Sequence, residues 1–107
     1  MDLKRKIMKL ITANFYENIS EGKCLVKFYA NWCGPCKAYT PTFDEFSKEN
    51  ENIKCFSLDC EQSPEISDDF DVKAIPVTIL FVNGEEISRK TGKLSKQQLL
   101  DFCDQDF

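Results

Sequence analysis

The sequence predicts an α/β fold, a central mixed β-sheet flanked by helices, with elements in the order βαβαβαββα. Three observations point to it. Short apolar runs of strand length alternate with amphipathic segments along the whole chain. Asn83-Gly84 separates two strand-like runs, a pairing that specifies a tight hairpin. No linker, internal repeat or low-complexity stretch interrupts the pattern, so the 107 residues read as one domain, 1–107, long enough to enclose a core.

Taken in order, Met8 to Thr12 reads as a short strand. Asn14 is placed to cap a helix running through Ser20, with Glu17 in the reciprocal capping-box position. Cys24 to Ala30 is a strand with little polar alternation, which suits a central strand buried on both faces. Cys33 to Asn50 reads as a long helix, bent at Pro41 because proline has no N–H for the helical ladder. Ile53 to Cys60 is the next strand. Ser63-Pro64 supplies a cap and a first-turn proline for a helix to about Phe70. Val77 to Val82 and Glu86 to Thr91 flank the hairpin turn. Ser95 opens the last helix, with Gln98 in the capping-box position and Leu99, Leu100, Phe102 and Cys103 as its apolar side.

Charge and cysteine content exclude several classes. Fourteen basic against eighteen acidic residues leave a formal net charge of -4 and no basic patch, which argues against nucleic acid as a partner. After Lys4-Arg5-Lys6 the apolar stretch from Ile7 to Ile11 is broken by Lys9. It is too short for a signal-peptide core or a membrane span. The expectation is a cytoplasmic protein whose thiols stay reduced. Six cysteines in so short a chain would also suit a disulfide-stapled secreted scaffold, but Cys24, Cys55, Cys60 and Cys103 lack its regular spacing. Cys24, Cys55 and Cys103 lie in apolar segments, where cysteine acts as a small hydrophobe.

The chemistry concentrates in Trp32-Cys33-Gly34-Pro35-Cys36-Lys37, between a buried strand and a helix. A thiol at a helix start meets unpaired backbone N–H groups and the positive end of the dipole, which favour the reactive thiolate. The two-residue spacer lets the second sulfur reach the first. Cys33, nearest the helix start and expected to be partly exposed, suits the attacking role. Cys36, a turn further in and more buried, suits the resolving role. Half of a zinc site is the competing reading, but the chain has no histidine and Cys55 and Cys60 have a different spacing.

The hexapeptide and its surroundings resemble the thioredoxin family, and the likeness covers nearly the whole chain. Phe28-Tyr29-Ala30 resembles the strand entering the family's site, Pro41 its helix kink, and Asp59 the end of its next strand. Lys73-Ala74-Ile75-Pro76 resembles the cis-proline segment, Phe81-Val82-Asn83-Gly84-Glu85 the hairpin, and Thr91-Gly92-Lys93 the last loop. The resemblance implies the thioredoxin fold and a thiol–disulfide oxidoreductase that reduces protein disulfides through a reversible Cys33–Cys36 pair. It implies a monomer, re-reduced by a separate NADPH-dependent thioredoxin reductase, with no bound cofactor of its own. It also implies a cis Ile75-Pro76 bond facing the disulfide, although only about 5% of X-Pro bonds are cis. The implied substrate groove takes in Trp32, Gly34, Pro35, Ile75, Pro76, Thr91, Gly92 and Lys93, with the backbone of Ile75 pairing to an incoming strand and Gly92 leaving room for a second backbone. An oxidising or isomerising relative, or a scaffold subunit in a larger complex, are the alternatives.

Lys27 departs from the pattern. The family usually carries a buried aspartate there, and the lysine that some members place on the next strand is Cys55 here. Three readings stand side by side. Lys27 snorkels outward without consequence, stabilises a nearby thiolate as a cation, or serves as a base in neutral form.

Overall fold

In a computed structural model, residues 7–104 are described, and the Lys4-Arg5-Lys6 cluster lies outside them. The elements are β1 (Met8–Leu10), α1 (Phe15–Ile19), β2 (Lys23–Tyr29), α2 (Gly34–Glu49), β3 (Lys54–Asp59), α3 (Pro64–Asp69), β4 (Val77–Val82), β5 (Glu85–Thr91) and α4 (Lys96–Cys103). Their order is the one the sequence predicts. The five strands form one mixed sheet in the spatial order β1-β3-β2-β4-β5. β1, β3 and β2 run parallel, while β4 is antiparallel to β2 and β5 to β4.

Strand periodicity explains how the layers assemble, because successive side chains leave opposite faces of a sheet. On β2, Cys24, Val26 and Phe28 enter one apolar cluster with Phe15 and Ile19 of α1 and Ile66 of α3. Leu25 enters the other, with Tyr39, Phe43 and Phe46 of α2 and Leu99 and Phe102 of α4. The sheet is therefore sandwiched between α1 and α3 on one face and α2 and α4 on the other. On the α1/α3 face Phe15 meets Phe28, Phe70 and Phe81, with ring centroids 5.5–6.4 Å apart. Removing such a ring costs about 3–5 kcal/mol, so this cluster anchors the fold independently of the redox chemistry.

The ends of the helices follow the sequence unevenly. In α4, Ser95 Oγ accepts from the Gln98 amide at 3.1 Å and Gln98 Oε1 accepts from the Ser95 amide at 2.8 Å, completing the expected capping box. In α1 the box does not form. Asn14 holds the N-cap position without a side-chain cap bond. Its Oδ1 accepts from the Ile11 amide at 2.9 Å instead, because an Asx side chain serves a local turn as readily as a helix start. Ser63 likewise occupies the N-cap position of α3 without a cap bond. Leu100 stands 42% exposed, outside the buried face formed by Leu99, Phe102 and Cys103. A residue one position from Leu99 is rotated about 100° around the helix, away from the i, i+3, i+4 stripe.

The hairpin turn matches its sequence signal. Asn83 and Gly84 both have positive φ, 50° and 87°, as a two-residue turn between right-twisted strands requires.

Candidate redox site

The fold brings three separated segments to one end of the sheet, past the last residues of β2 and β5 and ahead of β4. β2 ends at Tyr29, and the chain turns through Ala30 to Cys33, whose amide donates to the Ala30 carbonyl at 3.2 Å. Cys33 is the N-cap of α2, in extended conformation, and its sulfur accepts from the Cys36 amide at 3.2 Å. In the structure Cys33 and Cys36 form a disulfide, with Cα atoms 5.3 Å apart. Cys33 Sγ therefore stands where the thiolate lies in the reduced protein. An amide aimed at it, at the positive end of a helix, favours that thiolate.

The second segment is Ile75-Pro76, whose peptide bond is cis. The Ile75 carbonyl oxygen lies 3.9 Å from Cys33 Sγ. The third is the loop after β5, where the Gly92 amide donates to the Pro76 carbonyl at 2.8 Å. Gly92 has φ +95°, and a Cβ there meets no atom within 4 Å. Backbone conformation, with no crowding inside the free molecule, is what demands glycine. Thr91 and Lys93 flank Gly92, both exposed.

Trp32 is 68% exposed and belongs to no core cluster. Its indole Nε1 donates to Glu61 Oε2 at 2.7 Å, which ties the ring to the loop after β3. Glu61 was not legible as a site neighbour in the sequence, since nothing in its spacing marks it. Its loop is shaped by Asp59, whose Oδ1 accepts from the Glu61 and Gln62 amides at 2.9 and 3.3 Å. Gly34 and Pro35 form the exposed first turn of α2.

Cys36 is more buried than Cys33, as expected, but the margin is small: 2% against 5% exposed. The partial exposure expected of Cys33 is not found in the disulfide form. Its sulfur is bonded to Cys36 on one side and approached by the Ile75 carbonyl on another.

Lys27 lies beneath the site, on the α2 face of β2. It is 4% exposed, so the outward-snorkelling reading does not hold. Its Nζ donates to Thr40 Oγ1 at 3.2 Å and sits 5.3–5.9 Å from the ring centroids of Phe43, Tyr29 and Tyr39. With Thr40, Asp44, Lys48, Tyr29 and Ser57 it lines an open cleft of about 450 Å³. Burial pushes its pKa below the usual lysine range, while the Asp44 carboxylate pulls it back up. Thr40 and Asp44 were missed in the sequence, although Thr40 stands one helical turn after Cys36, a usable signal.

Cys24, Cys55, Cys60 and Cys103 form no disulfide. Cys55 of β3 belongs to the α2/α4 cluster, and Cys60, just past the end of that strand, packs on the α1/α3 cluster, so the two lie on opposite faces of the sheet. Burial raises the pKa of Cys24 and Cys60, and raises that of Cys103 to about 12.

The thioredoxin family model matches residues 6–105. A thioredoxin of Buchnera aphidicola subsp. Schizaphis graminum is 38% identical over 104 residues, covering 94% of this chain and 96% of that protein. One of Chlamydia muridarum is 39% identical over 87 residues, covering 81% and 85%. Among solved structures, oxidised mitochondrial thioredoxin 3 from Saccharomyces cerevisiae superposes with a TM-score of 0.83 at 28% identity, covering 91% of this chain and 92% of that one.

Proposed function

The chain belongs to the thioredoxin family, and on that premise we propose how its residues divide the work of disulfide exchange. It is a thiol–disulfide oxidoreductase that reduces protein disulfides through a reversible Cys33–Cys36 dithiol/disulfide and is itself re-reduced by a separate reductase. In our reading Cys33 is the nucleophile and Cys36 the resolving thiol. The Cys33 thiolate attacks one sulfur of the target disulfide, forms a mixed disulfide and releases the other target sulfur as a thiolate. Cys36, deprotonated in turn, attacks Cys33 Sγ and displaces the second target thiolate. Two electrons have then passed to the target, and the Cys33–Cys36 bond has formed.

The observation that carries this division of labour is the position of Cys33 Sγ at the helix N-cap, 3.2 Å from the Cys36 amide. Cys36 sits one turn inside, where a protein-sized disulfide has no approach and a neighbouring sulfur does. The substrate groove of the proposal is built from Trp32, Gly34, Pro35, Ile75, Pro76, Thr91, Gly92 and Lys93. What supports it is the convergence of Cys33, Ile75, Pro76 and Gly92 through the 3.9 and 2.8 Å contacts described above. An extended target segment would pair there with the Ile75 backbone. Lys27 is proposed as a modulator of the exchange. We further propose that the protein is a single-domain monomeric electron carrier of the cytoplasm, served by an NADPH-dependent thioredoxin reductase. No helix among the described residues is long and apolar enough to cross a membrane.

Insulin reduction, followed as turbidity, tests the assignment. Cys33→Ser is expected to abolish it. Cys36→Ser is expected to accumulate mixed disulfides with targets, since attack proceeds and resolution does not. Trapping by Cys33→Ser in place of Cys36→Ser would overturn the roles.

A further inference from the structure

The buried thiol, Cys36, has the harder ionisation. It is 2% exposed, so water gives little help to its thiolate, and desolvation favours the neutral form. The helix dipole is strongest at the N-cap, where Cys33 sits, and falls off within the first turn. Resolution nonetheless requires a thiolate at Cys36.

The ground beneath it holds a polar chain with a defined direction. Thr40 Oγ1 donates its one proton to the Cys36 carbonyl at 3.1 Å. It therefore meets Lys27 Nζ, 3.2 Å away, as an acceptor. The sequence of donors is ammonium to hydroxyl to carbonyl, and hydrogen bonds joined head to tail polarise one another in the same sense. Thr40 precedes Pro41, which cannot donate to the Lys37 carbonyl one residue beyond Cys36.

Charge on Lys27 is what gives the chain its effect. Three aromatic faces surround the Nζ, and a ring face stabilises a cation. The ionisable groups around it are Asp44, Lys48 and Tyr39 from α2 and Tyr29 from its own strand. Lys9 stands on β1 and Cys55 and Asp59 on β3, on the same face of the sheet, while β4 offers only Thr78 in register. Among the described residues Asp44 is the one carboxylate lining the cleft, and it opposes the loss of the Lys27 proton.

We propose that Thr40 is a positioning residue of the exchange site, relaying the charge of Lys27 to Cys36 and so making the Cys33–Cys36 disulfide a stronger oxidant. The relay stabilises the reduced form, which favours electron uptake by the disulfide. It rests on the reading of Cys36 as the resolving thiol.

The test is the equilibrium of the full chain with a glutathione redox buffer, for wild type, Thr40→Val, Thr40→Ser, Lys27→Met and the Thr40→Val/Lys27→Met pair. Thr40 is exposed on the helix, so valine is tolerated, and thermal unfolding checks that each variant is folded. Thr40→Val and Lys27→Met are each expected to shift the equilibrium about threefold towards the disulfide form, equivalent to about 14 mV. The double variant shifts no further than the larger single one, because both cut the same chain. Thr40→Ser, which keeps the hydroxyl, stays at the wild-type value. Thiolate absorbance against pH is expected to show the second thiol titrating higher in Thr40→Val. A wild-type equilibrium in Thr40→Val, fully additive effects, or a Thr40→Ser shift equal to that of Thr40→Val would overturn the relay. Absence of any reversible Cys33–Cys36 equilibrium in the wild type would instead overturn the exchange roles themselves.

Discussion

The two sides of the Cys33–Cys36 bridge are built on different terms. On the outer side, the Ile75 carbonyl, the Pro76 backbone, Gly92 and the exposed Trp32 meet through main-chain contacts and local turns. Every one of these features was named from sequence motifs. On the inner side, Lys27, Thr40 and Asp44 come together from a strand and a helix, through side chains alone. There the chain departs from the family pattern, and only the three-dimensional arrangement reveals what replaced it. In the function proposed above, contact with a target backbone would restrict the outer side to a few residue types, whereas the inner side would have only to manage charge, a task that different side chains perform in different geometries.

The contrast is sharpest if the two sides fail differently when altered. Gly92→Val is expected to have the largest effect. A β-branched residue at φ +95° carries roughly 1–2 kcal/mol of backbone strain. Its side chain would also project into the space proposed for substrate. Insulin reduction should fall at least about tenfold, whereas reduction of a small aromatic disulfide should fall much less. Equal losses on both substrates would remove the groove from the outer side.

Lys27→Met addresses the inner side through stability. Replacing a buried ammonium that has no carboxylate in direct contact among the described residues should raise stability by roughly 1 kcal/mol at neutral pH, measured in urea. The pH dependence has a definite sign. The folded pKa of Lys27 is lowered, so between it and the unfolded value near ~10.4 the unfolded chain holds more protons. Wild-type stability gains from Lys27 across that interval, and the advantage of the methionine variant should shrink there. A gap that stays constant up to pH 10 would show that Lys27 pays no desolvation cost.

The smallest effect on disulfide exchange is expected from a thiol of α4 that belongs to neither side. Cys103 is raised from 9.0 to about 12, chiefly by burial. The folded protein therefore keeps this proton where the unfolded chain has lost it, and stability declines as pH climbs from 9 towards 12. In Cys103→Ala stability at pH 7 should be lower by about 1 kcal/mol from lost packing, and the alkaline decline should be shallower. An unchanged slope would place the alkaline sensitivity elsewhere.

The element order, the hairpin at Asn83-Gly84, the capping box of Ser95 and Gln98 and the redox pair were all legible in the sequence. Each is a local matter of spacing, φ preference or side-chain period, and each appears in the structure where it was expected. The failures were also local in appearance. Asn14 and Glu17 have the capping-box spacing, yet Asn14 turned to the Ile11 amide, because two backbone donors competed for one side chain and only the packed turn chose between them. Leu100 reads as apolar, but the packed face of α4 runs through Leu99, Phe102 and Cys103.

What the sequence determined by itself was chemistry: two thiols at a helix start, a proline and a glycine placed to meet them, and hence disulfide exchange. What only the tertiary structure decided was the setting of that chemistry. The approach of the Ile75 carbonyl to Cys33 and the Gly92–Pro76 bond beside it join segments far apart along the chain, and no local preference encodes such contacts. The fate of Lys27 was decided in the same way. A lysine's charge is stable in water and costly in a core, so its meaning depends on burial and on the groups around it. Three aromatic rings, Thr40 and Asp44 supply those groups, and they are neighbours only because α2 packs across β2.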